Sequence, residues 1–350
     1  MGDLASRFAA NPILRPAEVR PSAPGMHVEC LLNPGAFRYR GRIGLLLRVA
    51  ERPPQTDTTV STPVLDPTAP GGVRIVSVRR DDPELKATDP RLFTWKGVDY
   101  LTTLSHLRLA WSDDGERFTA DPAPTLVGHG PLESFGVEDC RVSTMADGRY
   151  LLTYSAVSAE GVGVGCLVTR DWRSFDRLGM IIPPHNKDCA IFEEMVGGTY
   201  RCFHRPSGVG LGGNFIWIAS SPDLRHWGDH RCLARTRPGM WDSERIGAGA
   251  APIRTPKGWL EIYHGSNAKR YCLGALLLDL DDPSRVIARS REPIMEPSAA
   301  CEQTGFFGHV VFTNGHTVNG DIVTVYYGAA DEVICGARLS LRGILATLTD

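Results

Sequence analysis

The amino-acid sequence predicts an all-β protein. Thirty-seven glycines and 25 prolines in 350 residues separate short apolar runs, a composition typical of strands joined by turns rather than of long helices. Apolar residues make up 42% of the chain and charged residues 22%, which is the balance of a globular protein with a sizeable core. Similar segments also recur along the chain, and this periodicity indicates the architecture.

A turn motif occurs four times. It places an aspartate, a turn residue, two polar residues and a large apolar residue in "WSDDGERF", "TRDWRSF", "SSPDLRHW" and "LDDPSRV". The aspartates Asp114, Asp171, Asp223 and Asp282 are 57, 52 and 59 positions apart. Because aspartate side chains accept hydrogen bonds from the backbone of tight turns, we interpret these four as structural.

A second series puts a glycine-containing turn before an alternating strand in five places. The strands are marked by Tyr100, Tyr150, Tyr200, Trp259 and Ile322. Strand-rich units of roughly 50 to 60 residues in series are typical of propeller blades. The sequence therefore predicts a five-bladed β-propeller over residues 31–350 as one domain, preceded by a short N-terminal arm over residues 1–30. We expect the arm to pack on the propeller or to form an interface, which leaves a homo-oligomer open.

Charge and hydropathy exclude several function classes. The net charge of -2 gives no general attraction to nucleic acid or to an anionic membrane, and the apolar runs are too short and interrupted to span a bilayer. The N-terminal residues lack the pattern of a secretory signal, so we expect a cytoplasmic protein. Nine scattered cysteines with no C-x-x-C pair favour reduced, buried thiols over a metal site.

The repeat predicts a cluster of acids. Asp89, Asp139 and Asp188 occupy one phase of the repeat, 50 and 49 residues apart. Equivalent positions of successive blades are related by rotation, so we expect these side chains to converge on the central channel. Gathered carboxylates raise at least one pKa, which would create a general acid. Basic residues at matching phases would balance the acids and hold an anion: Arg91, Arg141, Lys187, Arg205 and Arg245.

Aromatic and histidine side chains occupy the second phase, among them Tyr263 and His264. Aromatic rings beside carboxylates suit a sugar, whose C–H faces pack on rings while its hydroxyls take polar partners. The histidines lack metal-ligand spacing, so we expect no metal site.

The chain resembles glycoside hydrolase family 130, the mannoside phosphorylases and related β-mannosidases. The resemblance extends over nearly the whole chain. Its segments are "NPIL", "NPGAF", "GVEDCRV", "NKDCAIFEE", "HRP", "WDSERIGAGAAPI", "GWLEIYHG", "LLDLDDPSRVIARS", "GFFGHVVF" and "YYGAAD". The family fold is a five-bladed propeller, the same blade number that the repeat predicts.

The resemblance implies roles for individual residues. Asp139 would be the general acid in the family's Glu-Asp-Pro-Arg segment, in which Cys140 here replaces the proline and relaxes its backbone restriction. It also implies that Asn33, Arg48, His264 and Asp331 bind substrate, and the residue pattern adds as candidates Asp89, Glu138, Arg141, Asp188 and Tyr263. A further group stands where the family's phosphorylases present cations to inorganic phosphate: Lys187, Arg205 and Arg245.

The resemblance implies two enzymatic hypotheses, and a binding function of another class stays open. An inverting phosphorylase would release mannose 1-phosphate from β-mannosides, with inorganic phosphate as co-substrate and no cofactor; phosphate is already anionic and needs no general base. An inverting β-mannosidase would instead activate water with a second carboxylate, for which Glu193, Glu194 and Glu244 are candidates. A propeller that binds glycans without catalysis is the third hypothesis. The basic trio favours the phosphorylase.

Overall fold

The computed structural model describes residues 3–69, 72–89, 92–208 and 213–348. This part of the chain is all-β, with 54% strand and 5% helix, and confirms the predicted fold class. Within it, five antiparallel sheets follow one another along the chain, and we number them I to V. Sheet IV has five strands, and each of the others has four.

The strands are given by sheet. Sheet I comprises His27–Tyr39, Arg42–Arg52, Leu104–Ser112 and Thr119–Ala120. Sheet II comprises Val137–Thr144, Tyr150–Ser158, Gly161–Thr169 and Asp176–Ile182. Sheet III comprises Asn186–Ile191, Tyr200–Pro206, Ile216–Ser221 and Gly228–Ala234. Sheet IV comprises Arg245–Ala248, Ile253–Thr255, Gly258–Ser266, Tyr271–Leu278 and Val286–Arg289. Sheet V comprises Val311–Asn319, Ile322–Ala329, Val333–Ser340 and Ser6–Arg7.

Sheet I is interrupted between its second and third strands. The intervening residues 53–103, which we call the insertion, form a two-stranded and a three-stranded sheet. Their strands are Thr59–Leu65, Val73–Arg79, Leu85–Asp89, Leu92–Trp95 and Val98–Leu101. The short helices of the described chain are Ala300–Gln303 and Leu341–Ala346, with 3-10 turns at Pro16–Glu18 and Pro131–Glu133.

The first copy of the predicted repeat, marked by Tyr100, was assigned to the wrong strand. Tyr100 belongs to the three-stranded sheet of the insertion, whereas the corresponding strand of sheet I is Arg42–Arg52, which follows the turn at Gly41. A glycine turn also precedes the strand that contains Tyr100, at Gly97, so the two hairpins have the same local pattern. The other four copies, at Tyr150, Tyr200, Trp259 and Ile322, lie in the second strands of sheets II, III and V and in the long central strand of sheet IV.

Apolar clusters join each sheet to the next. Leu46 packs with Leu152 between sheets I and II, and Leu151 with Ile191 between sheets II and III. Further clusters join III to IV, IV to V, and V to I, the last through Leu45 and Tyr326. Each buried aliphatic side chain of this kind contributes about 1.5–3 kcal/mol. The core of the protein therefore lies between the sheets.

The N-terminal residues belong to the last sheet. Ser6 pairs with Arg338 and Arg7 with Ala337, so the first strand of the chain is the outer strand of sheet V. Arg7 also binds Glu302 at 2.7 Å. The two ends of the chain thus meet in one sheet.

The predicted turn aspartates have the expected structural role. Asp114 accepts hydrogen bonds from the backbone of Glu116 and Arg117, and Asp171 and Asp223 accept the equivalent bonds in their turns. Asp282 accepts from the backbone of Ser284.

The first strands of sheets I, II and III share a bulge. The cross-strand register shifts after Leu32, after Glu138 and after Lys187, and the next residue has a positive φ: 35° at Asn33, 50° at Asp139 and 52° at Asp188. Asn and Asp tolerate this left-handed conformation better than other residues with a Cβ atom, and a bulge re-aims the side chain. The repeat phase identified in the sequence is therefore a conformational repeat, in which sheet I contributes Asn33.

Candidate active site

The bulges and the neighbouring strand ends surround a cavity of about 350 Å³, which we call the basic cavity. Eight residues selected from the sequence line it: Asn33, Arg48, Asp139, Lys187, Asp188, Arg205, Arg245 and Asp331. They come from all five sheets, so the fold brings together side chains that are up to about 300 residues apart.

Asp139 is held by two donors. Asn33 Nδ2 and Arg48 Nη1 each lie 3.1 Å from its Oδ1, and the residue is 8% exposed. Arg48 Nη2 also donates to Glu138 Oε1 at 2.7 Å. One guanidinium therefore binds both carboxylates of "GVEDCRV", which explains why adjacent acids are tolerated in a largely buried strand.

The pKa of Asp139 is shifted in the direction opposite to the one that clustered carboxylates favour. Burial raises this pKa, but the positive charges of Arg48, Arg141 and Lys187 outweigh burial, and the pKa lies below its ordinary value. The prediction considered the repulsion between the acids and underestimated the surrounding cations.

Asp188 is the centre of an ion-pair network. Its Oδ1 accepts from Arg141 Nη2 at 3.0 Å, and its Oδ2 lies 3.0 Å from Arg205 Nε and 3.2 Å from His264 Nε2. Although burial raises the pKa of Asp188, Arg205 and Arg141 lower it well below the usual range. Burial lowers the pKa of His264 to about 4, so this histidine is neutral at pH 7.

Among the described residues, six cations line the basic cavity, and three of them are the trio predicted to bind phosphate. Lys187 and Arg205 are paired across sheet III, and Arg245 begins the first strand of sheet IV. Arg205 Nη1 is buried and has no hydrogen-bond partner among the described residues. A buried donor left unpaired costs about 1–3 kcal/mol, so an anion accepting from Arg205 would be stabilised here. The predicted basic trio is brought together as expected.

A second cavity of about 410 Å³ adjoins the first, and we call it the apolar cavity. Among the described residues, the two cavities share Leu32, Phe307 and four ionisable residues: Arg48, Asp139, Lys187 and Asp331. Beyond these residues and Glu138, its walls are mainly aliphatic and aromatic side chains from the insertion, sheets I and II, and the segment after the helix Ala300–Gln303. Asp139 and Arg48 thus lie at the junction of a cationic cavity and an apolar one.

Arg141 lies behind the cavity. It is 1% exposed and donates to the backbone oxygens of Asp139, Ala248 and Gly249. Its bonds fix the bulge of sheet II against sheet IV, so it positions Asp139 without facing the cavity.

Tyr263 also lies away from both cavities. It stacks on Trp241 and donates to Asp242 at 2.8 Å. Adjacent residues of a strand point to opposite faces, so His264 reaches Asp188 while Tyr263 enters the core between sheets III and IV.

The three candidate bases lie outside the cavities. Glu193, Glu194 and Glu244 are exposed and line neither cavity. Glu193 accepts from the backbone of Thr144, and Glu194 lies 3.6 Å from Arg254. The strand of Asp89 lies in the insertion, while its side chain and the whole of Arg91 fall outside the described residues.

The structure adds residues that the sequence analysis missed. The turn between two strands of sheet IV contributes Asn267, Lys269, Arg270 and Tyr271 to the basic cavity, and His309 lies beside them. Asn267 accepts from the backbone of Lys269 and Arg270 and thereby shapes the turn. Two adjacent cations after the "HGSN" turn are the signal that could have indicated them.

Two kinds of site are absent from residues 3–69, 72–89, 92–208 and 213–348: a metal-ligand cluster and a membrane-spanning helix. No group of three or more His, Cys, Asp or Glu side chains in that part of the chain is placed to hold a metal ion. Among its helices, none combines the length and apolar character needed to cross a bilayer.

Comparison with known proteins assigns the family. The family model described as beta-1,4-mannooligosaccharide phosphorylase matches residues 93–350. The β-1,2-mannobiose phosphorylase of Listeria innocua is 42% identical over 347 residues, 98% of each chain. A 1,2-β-oligomannan phosphorylase of Thermoanaerobacter is 37% identical over 69% of this chain and 80% of that protein. The solved complex of the Listeria innocua phosphorylase with β-1,2-mannobiose has a TM-score of 0.94, covering 98% of this chain and 99% of that chain. These matches and the shared motifs show that the chain belongs to glycoside hydrolase family 130.

Proposed function

We propose that this protein is an inverting phosphorylase of β-mannosides, with β-1,2-mannobiose as substrate and α-mannose 1-phosphate and mannose as products. The linkage is proposed from the Listeria innocua relative, which is similar over nearly the whole chain. The observation that carries the reaction type is the placement of Asp139 between a cavity that six described Lys and Arg residues line and a cavity with mainly apolar walls.

The placement suits an inverting displacement. Such a reaction needs its nucleophile and its leaving group on opposite faces of the sugar ring. A mannose at the junction, held by Asn33, Arg48 and Asp331, would have Lys187, Arg205 and Arg245 on one side. Phosphate bound by these cations would attack the anomeric carbon, while the departing oxygen would leave toward the apolar cavity.

Asp139 is the proposed acid that protonates the departing oxygen, directly or through a hydroxyl of the mannose. Its pKa lies below the ordinary value because the positive charges of Arg48, Arg141 and Lys187 outweigh burial. Bound phosphate brings negative charge next to Lys187 and Arg205. It therefore favours the protonated carboxyl when both substrates are present.

The hydrolase alternative lacks support from its candidate bases. Glu193, Glu194 and Glu244 are exposed and outside the two cavities, so none is placed to activate a water across from Asp139. A binding module would have no need for an acid such as Asp139 in the cavity that the unpaired Arg205 Nη1 lines.

We also infer that the five sheets are the blades of a five-bladed β-propeller, a reading supported by the five apolar clusters that join each sheet to the next. A cytoplasmic location is proposed, and nine free cysteines support it. The homo-oligomer remains a prediction for light scattering to test.

The reaction is tested by incubating the protein with β-1,2-mannobiose and β-1,4-mannobiose, each with and without phosphate. Mannose 1-phosphate that forms only with phosphate, and faster from the β-1,2 substrate, is the expected result. Free mannose produced at the same rate without phosphate would establish hydrolysis instead.

A further inference from the structure

The apolar cavity has walls of unusual composition for a site that binds only sugar. Nine of its fifteen lining residues are apolar. The charged ones are Glu138 and the four ionisable residues shared with the basic cavity, so charge is confined to the junction and to Glu138, which Arg48 binds. Beyond these residues, Thr103 is the one lining residue with a polar side chain among those the structure describes.

The apolar walls are built by separate parts of the fold. Leu92 and Leu101 come from the insertion, Val157 and Val162 from a hairpin of sheet II, and Phe306 from the segment after the helix Ala300–Gln303. Phe306 packs against a cluster of three buried apolar residues of sheet I, which supports its position. The apolar surface is therefore continuous across elements that are distant in the sequence.

The leaving mannose of the proposed reaction would lie at the end of this cavity next to the junction. A further mannose beyond it would bring hydroxyl groups against walls in which Thr103 is the one polar side chain among the described residues. Each hydroxyl removed from water without a compensating hydrogen bond costs roughly 1–3 kcal/mol. An alkyl or aryl group in the same place would instead gain from leaving water. The walls favour a ligand with a polar sugar at the junction and an apolar group beyond it.

We propose that the apolar cavity accepts the alkyl or aryl group of a β-mannoside whose sugar occupies the acceptor position. This inference rests on the proposed phosphorylase function and specifies the substrate class on its leaving-group side. The enzyme would use alkyl and aryl β-mannosides as acceptors in the synthetic direction in preference to acceptors without an apolar group.

The synthetic reaction balances without a further reactant. The bond between the anomeric carbon of α-mannose 1-phosphate and the phosphate oxygen breaks, and phosphate leaves with the electron pair. A hydroxyl oxygen of the acceptor mannoside forms the new bond to that carbon. Its proton passes to the Asp139 carboxylate, directly or through a sugar hydroxyl, and the products are a β-linked mannoside and inorganic phosphate.

The test measures phosphate release from α-mannose 1-phosphate with mannose and with methyl, n-hexyl and phenyl β-mannoside as acceptors. Burial of additional methylene groups predicts that kcat/KM rises by about tenfold or more from methyl to n-hexyl β-mannoside. If kcat/KM for the n-hexyl and phenyl acceptors is equal to or lower than for methyl β-mannoside, while mannose as acceptor still gives phosphate release, this inference is overturned and the proposed function stands. No release with any acceptor, mannose included, would overturn the proposed function as well.

Two variants test whether the preference for an alkyl group arises in the apolar cavity. Val162→Thr changes polarity at nearly constant shape, and we expect it to lower the n-hexyl to methyl ratio of kcat/KM by about threefold or more, since a hydroxyl in the wall disfavours an alkyl group. Val127→Thr is the matched control, because Val127 is 48% exposed and lines neither cavity. Both variants giving the wild-type ratio would contradict the assignment of the alkyl group to this cavity.

Discussion

Arg48 donates from Nη1 to Oδ1 of Asp139 at 3.1 Å. The same guanidinium binds Glu138, so a single cation compensates the two adjacent acids of the bulge in sheet II. Asn33 approaches Asp139 from the equivalent bulge of sheet I. The proposed acid is therefore oriented by two neighbouring residues of sheet I, and its protonation depends on how much of the surrounding positive charge a ligand neutralises.

Replacing the proposed acid tests whether the protein is an enzyme or a binding module. Asp139→Asn keeps the size and most hydrogen-bonding capacity of the side chain but removes the transferable proton. We expect phosphorolysis of β-1,2-mannobiose to fall by about 10²–10⁴-fold, with mannobiose affinity in calorimetry changed far less. The exposed Asp176→Asn is the control. Unchanged turnover in Asp139→Asn would remove Asp139 from the mechanism.

Removing a cation from the basic cavity is expected to weaken phosphate binding. Arg245 is exposed at the start of its strand, so Arg245→Gln should leave the fold intact. Loss of one charge-assisted hydrogen bond of roughly 1.5–3 kcal/mol predicts that the KM for phosphate rises by about tenfold or more. Lys257→Gln, at an exposed turn outside both cavities, is the matched control. Equal phosphate KM values in both variants would argue against this binding site.

The exposed glutamates outside the cavities are predicted to have little effect on catalysis when they are replaced. Glu244→Gln and Glu193→Gln are each expected to retain at least about half of the wild-type kcat/KM, since surface substitutions away from a site have small effects. Steady-state rates with β-1,2-mannobiose and phosphate provide the measurement. A loss of two orders of magnitude in either variant would restore that glutamate as a candidate base and with it the hydrolase mechanism.

The sequence revealed the repeat and eight of the residues that line the basic cavity, because residue spacing indicates both. Asp139 and Asp188 are 49 residues apart and occupy the same bulge in sheets II and III. Asp89 shares the spacing, but its strand belongs to the insertion, whose glycine turn imitates that of sheet I.

Side-chain direction and local charge balance could not be inferred in the same way. Tyr263 and His264 are adjacent, and only the structure shows which one faces Asp188. The low pKa of Asp139 depends on distances to Arg48 and Lys187 that no spacing supplies. The turn containing Lys269 was missed because turns have no fixed phase in the repeat.

The buried, neutral His264 predicts that the free energy of unfolding falls on mild acidification. Burial lowers the pKa of His264 from 6.5 to about 4. Between these values the unfolded chain binds more protons, so the free energy of unfolding falls as pH falls, by about 1.4 kcal/mol per pH unit for each such histidine. Asp188 has a depressed pKa, and its stabilising effect is lost only below about pH 4.

Urea unfolding of the wild type and of His264→Gln between pH 7 and pH 4.5 measures this contribution. We expect the variant to be less stable at pH 7 but to show a shallower decline with falling pH. Parallel declines in the two proteins would mean that His264 does not titrate as its burial predicts.

In the proposed mechanism, phosphate and the leaving group occupy opposite sides of a mannose at Asp139. The anomeric configuration of the first product tests this placement. Proton NMR recorded during the first turnovers of β-1,2-mannobiose with phosphate distinguishes α-mannose 1-phosphate from its β anomer. The account predicts the α anomer. Formation of β-mannose 1-phosphate would contradict the placement of the two cavities on either side of the reacting carbon.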